Sequence, residues 1–511
     1  MKPARLVTGF VTVGGWTFLS RLLGFVRDAL VAAYLGAGPA AEAFVVAFSL
    51  PNMFRRFFAE GTLNVAFVPI FSKKVEAGEN ARRFAEDTLS ALAFALLVLT
   101  VVATIFMPLL VTAMAAGFIG DERFDLAVDY GRIAFPYVLF ISLGALFSGV
   151  LNATGRFAAA AAAPVLLNII LSLAMIGAAK TGIPVERALI WAVPVAGIAQ
   201  LAVVWRAAAK AGFPLVPHRP RFTPEIRRLL VLATPAALAG GVVQINLLIG
   251  RQVASFSQDG ALQYLNLADR LYQLPLGVVA IAIGIVLLPD LSRRLQAGDG
   301  KGARDAYNRA FEFALLLTVP AAVALVVIPE PLISFLFQRG AFTAEDAHKT
   351  AVAVMIYGLG LPAFVMQKVL QPLYFARENT RTPFRFAVFA MVINAAVAIG
   401  LAFVIGYLAA AVATTVAAWA MVALLWFGKS GMGEEVTADP RLVRRTPRIL
   451  AAAVLMGLLL YGTNLALAPV FELSRGLATL LLVSVGIIGY FAIAHAIGAT
   501  RFAELRGSVR R

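Results

Sequence analysis

No cysteine occurs among the 511 residues. That excludes disulfides, thiolate metal sites and cysteine nucleophiles. Histidine is almost as scarce: His218, His348 and His495 are the only three, and none has another at ligand spacing. A zinc site, or any other metal site, is therefore not expected. Charge is sparse too, at 14% of residues against 60% hydrophobic, with a mean hydropathy of +0.85. This composition overrules the several soluble domains that length alone suggests. No Walker motif is present, so ATP is not the direct energy source. No polar stretch is long enough for a separate extramembrane domain.

What remains is a series of apolar runs far longer than barrel strands, so the chain reads as an all-α polytopic membrane protein. We place about fourteen transmembrane helices, near 6–35, 40–71, 86–116, 127–153, 158–179, 187–210, 227–255, 262–292, 306–337, 348–376, 383–405, 407–427, 447–467 and 476–498. Pro51 and Pro275 are expected to bend their helices. The basic start of residues 1–16 runs straight into an apolar stretch that passes any cleavage site, so a cleavable signal peptide is not expected.

The formal net charge is +16, and its location matters more than its size. Alternate connections carry Lys73, Lys74, Arg82, Arg83, Arg219, Arg221, Arg293, Arg294, Arg441, Arg444 and Arg445, among about thirty Lys/Arg once the tails are included. The other connections offer about six: Arg123, Lys180, Arg187, Arg339, Lys349 and Arg475. The positive-inside rule makes the basic side cytoplasmic, with both termini on it. Most of the excess is then topology and contact with membrane lipids, not nucleic-acid binding.

Two basic links, about 211–226 and 428–446, divide the chain. We expect an N-terminal six-helix lobe at 1–210, a second six-helix lobe at 211–427 with its linker, and a terminal linker and helix pair at 428–511. The two lobes read as copies. VPIFSKKVEAGE at 68–79 matches LPDLSRRLQAGD at 288–299, and Tyr130-Gly131 matches Tyr357-Gly358. Six spans per copy give both the same orientation, a parallel repeat about a membrane-normal axis, as in transporters that rock around a central site.

The densest intramembrane charge lies at 17–60: Arg21, Arg27, Asp28, Glu42, Arg55, Arg56 and Glu60. Each charge in hydrocarbon costs about 2.5–3.5 kcal/mol on insertion scales. Seven in two spans read most economically as lining a polar, mainly cationic cavity. The alternative is snorkelling from span ends, which suits Arg56 and Glu60 best. Arg21 and Asp28, seven apart, share a helix face; Arg27 lies well round from Arg21. The second copy contributes Asp269 and Arg270 ahead of Pro275, either as cavity charges or as a local neutralising pair. Asn152, Asn168, Asn246 and Asn394 read as interhelical hydrogen-bond glue.

SRLLGFVRDALVAAYLGAG, EAFVVAFSLPNMFRRFFAEGTLNVAFVPIFS, LADRLYQLPLGVVAIAIGIVLLPDLS, FTAEDA and RENTRTP resemble the MurJ (MviN) lipid II flippases, a family of the MATE-like MOP transporter superfamily. The resemblance runs in order through spans 1–12. It implies two six-helix lobes around a central cationic cavity, two added C-terminal helices, and a bacterial inner-membrane location. It implies no enzyme activity but transport of undecaprenyl-pyrophosphate-linked disaccharide-pentapeptide from the cytoplasmic to the periplasmic leaflet by alternating access. It also implies that Arg21, Arg27, Arg55 and Arg270 line the cavity and bind substrate, with Asp28, Glu42, Glu60 and Asp269 as supporting charges. Where the family commonly has Asp, this chain has Glu42, one methylene longer. Some relatives bind sodium in the second lobe; span 7 here has no acidic residue, so that site is not carried over.

The chemistry agrees. Guanidinium forks bind phosphate oxygens in bidentate fashion and stay charged in any environment. No cofactor is called for; an ion gradient or the membrane potential is the remaining energy source. Partners expected are lipid II, membrane lipids and cell-wall synthesis proteins. Rival readings are a MOP flippase for another pyrophosphate-linked oligosaccharide, a membrane-embedded enzyme acting on the same lipid, and a structural scaffold. The enzyme reading lacks an outer loop large enough to carry a base, and the scaffold leaves the arginines unexplained.

Overall fold

A computed structural model describes residues 3–56 and 64–500. Every regular element among them is helical. Ten helical stretches are long and apolar enough by themselves to cross a membrane. The chain separates into two compact units, residues 1–263 with 340–342, and residues 264–339 with 343–511.

The first unit holds α1 (Pro3–Leu35), α2 (Pro39–Arg55), α3 (Asn64–Ala77), α4 (Ala81–Ile105), α5 (Met107–Ala115), α6 (Glu122–Ala134), α7 (Tyr137–Ala153), α8 (Ala158–Thr181), α9 (Val185–Lys210) and α10 (Pro224–Ser255). Here α1 packs along α8, α8 and α7 pack on α9, and α2 packs on α6. The core near α3 and α4 is a stack of Phe67 against Phe71 and Phe84, with centroids 5.3 and 5.5 Å apart. Offset stacking of this kind adds about 0.5–1.5 kcal/mol per pair beyond area burial. α10 lies beyond the first basic link, yet it packs on α3 and α5. Gln252 ties it there, its Oε1 accepting from the Ala116 amide at 2.9 Å.

The second unit contains most of α11 (Ala261–Gln296), then α12 (Gly300–Val327), α13 (Pro329–Phe337), α14 (Ala344–Phe375), α15 (Arg381–Ile405), α16 (Leu408–Gly428), α17 (Pro440–Ala466), α18 (Ala468–Leu473) and α19 (Arg475–Ala496). α12 packs on α14 and α17, α14 on α16, and α17 on α19. The terminal pair is thus built into this unit. Its root is an ion cluster: Glu312 takes Arg441 at 3.1 Å and also Arg309 and Arg445, and Arg309 reaches Asp439. Asp439 also caps α17, accepting from the Leu442 amide at 2.6 Å.

The internal repeat is visible at the level of single hydrogen bonds. α3 and α11 both end in a left-handed glycine, Gly78 at φ +68° and Gly298 at φ +70°. Behind them the Glu79 amide donates to Lys74 O at 3.0 Å and the Asp299 amide to Arg294 O at 2.9 Å. This six-to-one closure is the Schellman cap, which glycine at that position permits. Downstream, α4 breaks into α5 at Phe106 and α12 breaks into α13 at Ile328, each before a proline that starts the next helix. Pro51 and Pro275 themselves lie inside continuous helix.

Candidate functional site

Arg27 and Asp28 sit about two turns before the C-terminal end of α1, and both are buried, each 6% exposed. Nε and Nη2 of Arg27 donate to Asp28 Oδ1 at 3.0 and 2.6 Å. Nη1 donates to Asn168 Oδ1 at 3.0 Å. The Asn168 amide then donates to the Ser20 carbonyl at 2.9 Å, so α8 is fastened to α1 at the height of the arginine. Gly24 faces Asn168 across this contact, with room for a Cβ at an ordinary 3.6 Å from Asn168 Nδ2. The predicted interhelical role of Asn168 is what the geometry shows. Asn394 reaches Thr414 Oγ1 across α15 and α16 at 3.5 Å. Asn152 is exposed, and the side chain of Asn246 lies outside the described residues.

Phe48 on α2 lies beneath Arg27, with the guanidinium carbon 5.7 Å from the ring centroid. One turn on, Asn52 donates to the Phe48 carbonyl at 2.8 Å and accepts from Arg55 Nε at 3.4 Å. Arg27 and Arg55 therefore flank one short stretch of α2. Arg55 is half-buried; Arg56, next to it, is exposed. Arg21 is exposed on α1, and no ion pair involves it among the described residues. Glu60 lies outside the described residues.

Glu42 is fully buried at the start of α2. The sequence suggested that it balances a cavity arginine. The structure gives it another partner: Arg123 Nη1 donates to Glu42 Oε2 at 3.0 Å, and the Leu262 amide donates to Oε1 at 2.8 Å. Arg123 also pairs with Asp121 at 2.7 Å and Asp259 at 3.1 Å, and lies 4.5 Å over the Phe118 ring. Asp121 caps α6, its Oδ1 accepting from the Arg123 amide at 3.0 Å. The Arg123 amide, then its guanidinium, hold the Asp121 carboxyl below the usual carboxylate range. Sequence reasoning counted Arg123 only as an outer-loop charge. The available signal was Glu42 itself, a buried carboxylate that needs a cation.

The same part of the first unit contains two close backbone approaches. The Ala341 amide donates to Ala33 O at 2.8 Å. A Cβ on Gly340 would lie 2.2 Å from that same oxygen, and one on Gly36 would lie 2.6 Å from Ala341 O. Both glycines have positive φ, +58° and +63°.

In the second unit, Arg270 is half-buried on α11. Asp269 beside it accepts from Gln273, one turn on. Tyr272 stacks between Tyr357 and Phe364, with centroids 5.0 and 5.3 Å away, so α11 is wedged against α14 just beyond the arginine. Lys368, in the last third of α14, is exposed. No cluster of three or more His, Cys, Asp or Glu suited to a metal exists among the described residues. In the first unit, the Arg27 and Arg55 guanidinium groups are the chemistry available to an anionic group.

The family model for the lipid II flippase MurJ matches residues 31–493. A probable lipid II flippase MurJ of Rhizobium tropici is 44% identical across 99% of this chain and 97% of its own. The lipid II flippase MurJ of Burkholderia cenocepacia is 37% identical across 76% of this chain and 77% of its own. A solved lipid II flippase MurJ in an inward closed conformation superposes with a TM-score of 0.81 at 27% identity, covering 95% of this chain and 98% of that one. An inward-facing multidrug-resistance MATE transporter of the MOP superfamily shares the fold alone, with a TM-score of 0.63 at 14% identity over 82% of this chain and 99% of that one.

Proposed function

The chain belongs to the lipid II flippase MurJ family, and from that premise we propose how it handles its lipid. It is a multi-pass membrane transporter that moves lipid II, not an ATP-hydrolysing enzyme. The direction is from the cytoplasmic to the outer leaflet of the bacterial inner membrane, by alternating access, with both termini cytoplasmic. The asymmetry of Lys and Arg between connections supports that orientation.

Arg21, Arg27, Arg55 and Arg270 bind the pyrophosphate. The observation that carries this reading is Arg27, a guanidinium buried to 6% exposure in the last third of a long apolar helix, with Asp28 as its counter-ion. Both donor sides of Arg27 are occupied, by Asp28 and Asn168. A phosphate oxygen would exchange with one of these acceptors, so the site is charged in advance and its fork is already oriented. Arg21, exposed on the same helix, supplies the first contact. An ion gradient or the membrane potential drives the return of the empty carrier.

The test is lipid II binding to purified variants, together with complementation of a strain lacking the flippase. Arg→Ala at 21, 27, 55 or 270 is expected to weaken binding about 10- to 100-fold, the value of one charge-assisted contact. Lys at these positions is expected to rescue poorly, because it loses the planar fork. Arg56→Ala serves as the control on the exposed face. Undiminished binding and growth for all four Ala variants would reduce these arginines to structural charges.

A further inference from the structure

A cavity of about 470 Å³ in the second unit opens between α13 and the terminal helices, well away from the arginines discussed above in sequence. It forms because α12 breaks at Ile328 and α17 breaks at Leu467, each restarting on a short helix at that level. Val326, Val327, Met355 and Phe471 supply an apolar wall. Ser334, Asn464 and Thr479 supply hydrogen-bonding groups. Glu330 and Arg475 supply one charge of each sign.

Glu330 and Arg475 line one cavity, yet no ion pair joins them. Glu330 instead meets His348 Nδ1 at 3.3 Å. Arg475 starts α19, and Pro329 and Glu330 start α13, so two helix N-termini face this level of the unit. The walls are held from both sides. Thr479 donates to the Pro331 carbonyl at 3.3 Å, and Gly476 packs so closely that a Cβ on it would touch the Phe335 ring at 3.4 Å. Close in sequence to the lining residues Asn464, Arg475 and Thr479, Leu465, Leu473 and Leu477 are exposed, at 60%, 85% and 51%. Exposed leucines at the end of membrane helices face lipid, not water.

We propose that this cavity is a binding site for a zwitterionic aminophospholipid headgroup. The phosphate lies on Arg475 and the α19 N-terminus, and the primary ammonium lies on Glu330. The glycerol and first acyl carbons follow the Val326–Phe471 wall to the leucine surface. A separated pair of opposite charges suits a zwitterion; an anionic headgroup would meet the Glu330 carboxylate. The assignment does not rest on the flippase reading, since it uses none of the proposed pyrophosphate ligands.

The experiment uses the full chain, purified and exchanged into micelles containing equal phosphatidylethanolamine and phosphatidylglycerol, with co-purified lipid counted by native mass spectrometry. The intact protein is expected to retain the ethanolamine lipid about threefold over the glycerol lipid. Glu330→Gln should remove or invert that preference, and Arg475→Gln should lower retention of both. Ser334→Trp, which fills the cavity without changing charge, should lower retention as well; its melting temperature shows whether the variant is folded. Retention at the bulk ratio, or a preference that survives both charge substitutions, overturns the site. Displacement of the ethanolamine lipid by one equivalent of lipid II assigns the cavity to the transported substrate and overturns it too.

Discussion

Arg123 and Glu42 are 81 residues apart in sequence and 3.0 Å apart in space, with the carboxylate wholly removed from solvent. The pair fastens the start of α2 to the start of α6. Through the Leu262 amide and Asp259 it also holds the turn that leads into α11. Arg123→Ala leaves a buried carboxylate without its cation, which typically costs about 3–5 kcal/mol. A large loss of thermal stability is expected, and Glu42→Gln on that background should recover part of it. Strictly additive losses in the double variant would show that the two residues are not coupled. Glu42→Asp alone should be tolerated only in part, because the shorter side chain reaches Arg123 or Leu262 less readily than both.

Asn168→Ala removes the acceptor for Arg27 Nη1 and the donor for Ser20 O together. A loss of about 1–3 kcal/mol in stability is expected from the unmade buried bonds. Lipid II affinity should fall less than in Arg27→Ala, since the guanidinium itself remains. Equal or greater loss of affinity in Asn168→Ala would make the amide a direct ligand. Gly24→Ala on the facing helix should be nearly silent, because its Cβ would meet Asn168 at an ordinary 3.6 Å.

Two left-handed glycines give a contrast that separates backbone strain from crowding. Gly78→Ala places a side chain at φ +68° with nothing within 4 Å. Its cost should be about 1–2 kcal/mol, that of the left-handed conformation alone. Gly340→Ala adds a clash at 2.2 Å with a backbone oxygen. Its melting temperature should drop well below that of Gly78→Ala; matched melts would remove the close approach from the account.

Orientation can be read directly, since the native chain has no cysteine. Glu79→Cys and Ala297→Cys, both exposed beside the repeated caps, should resist an impermeant thiol reagent in intact cells. Glu122→Cys, exposed at the start of α6, should label. The reverse pattern inverts the assignment of sides.

The charge alternation, the apolar runs and the copied VPIFSKKVEAGE and LPDLSRRLQAGD segments by themselves establish a helical membrane protein with an internal repeat. These are periodic, compositional or copied signals, and none of them depends on which helix faces meet. Glycine at 78 and 298 even announces the two helix caps, because only glycine takes that φ at no cost. What the sequence leaves open is who pairs with whom. Nothing near Glu42 in the chain names Arg123, and nothing near Arg27 names Asn168; these partners are 81 and 141 residues distant. Nor does the linker before α10 reveal that α10 packs on α3 and α5. Long-range pairing depends on which helix faces meet. That is decided by the packing of whole helices, where the cost of an unpaired buried charge selects among arrangements with equally apolar surfaces.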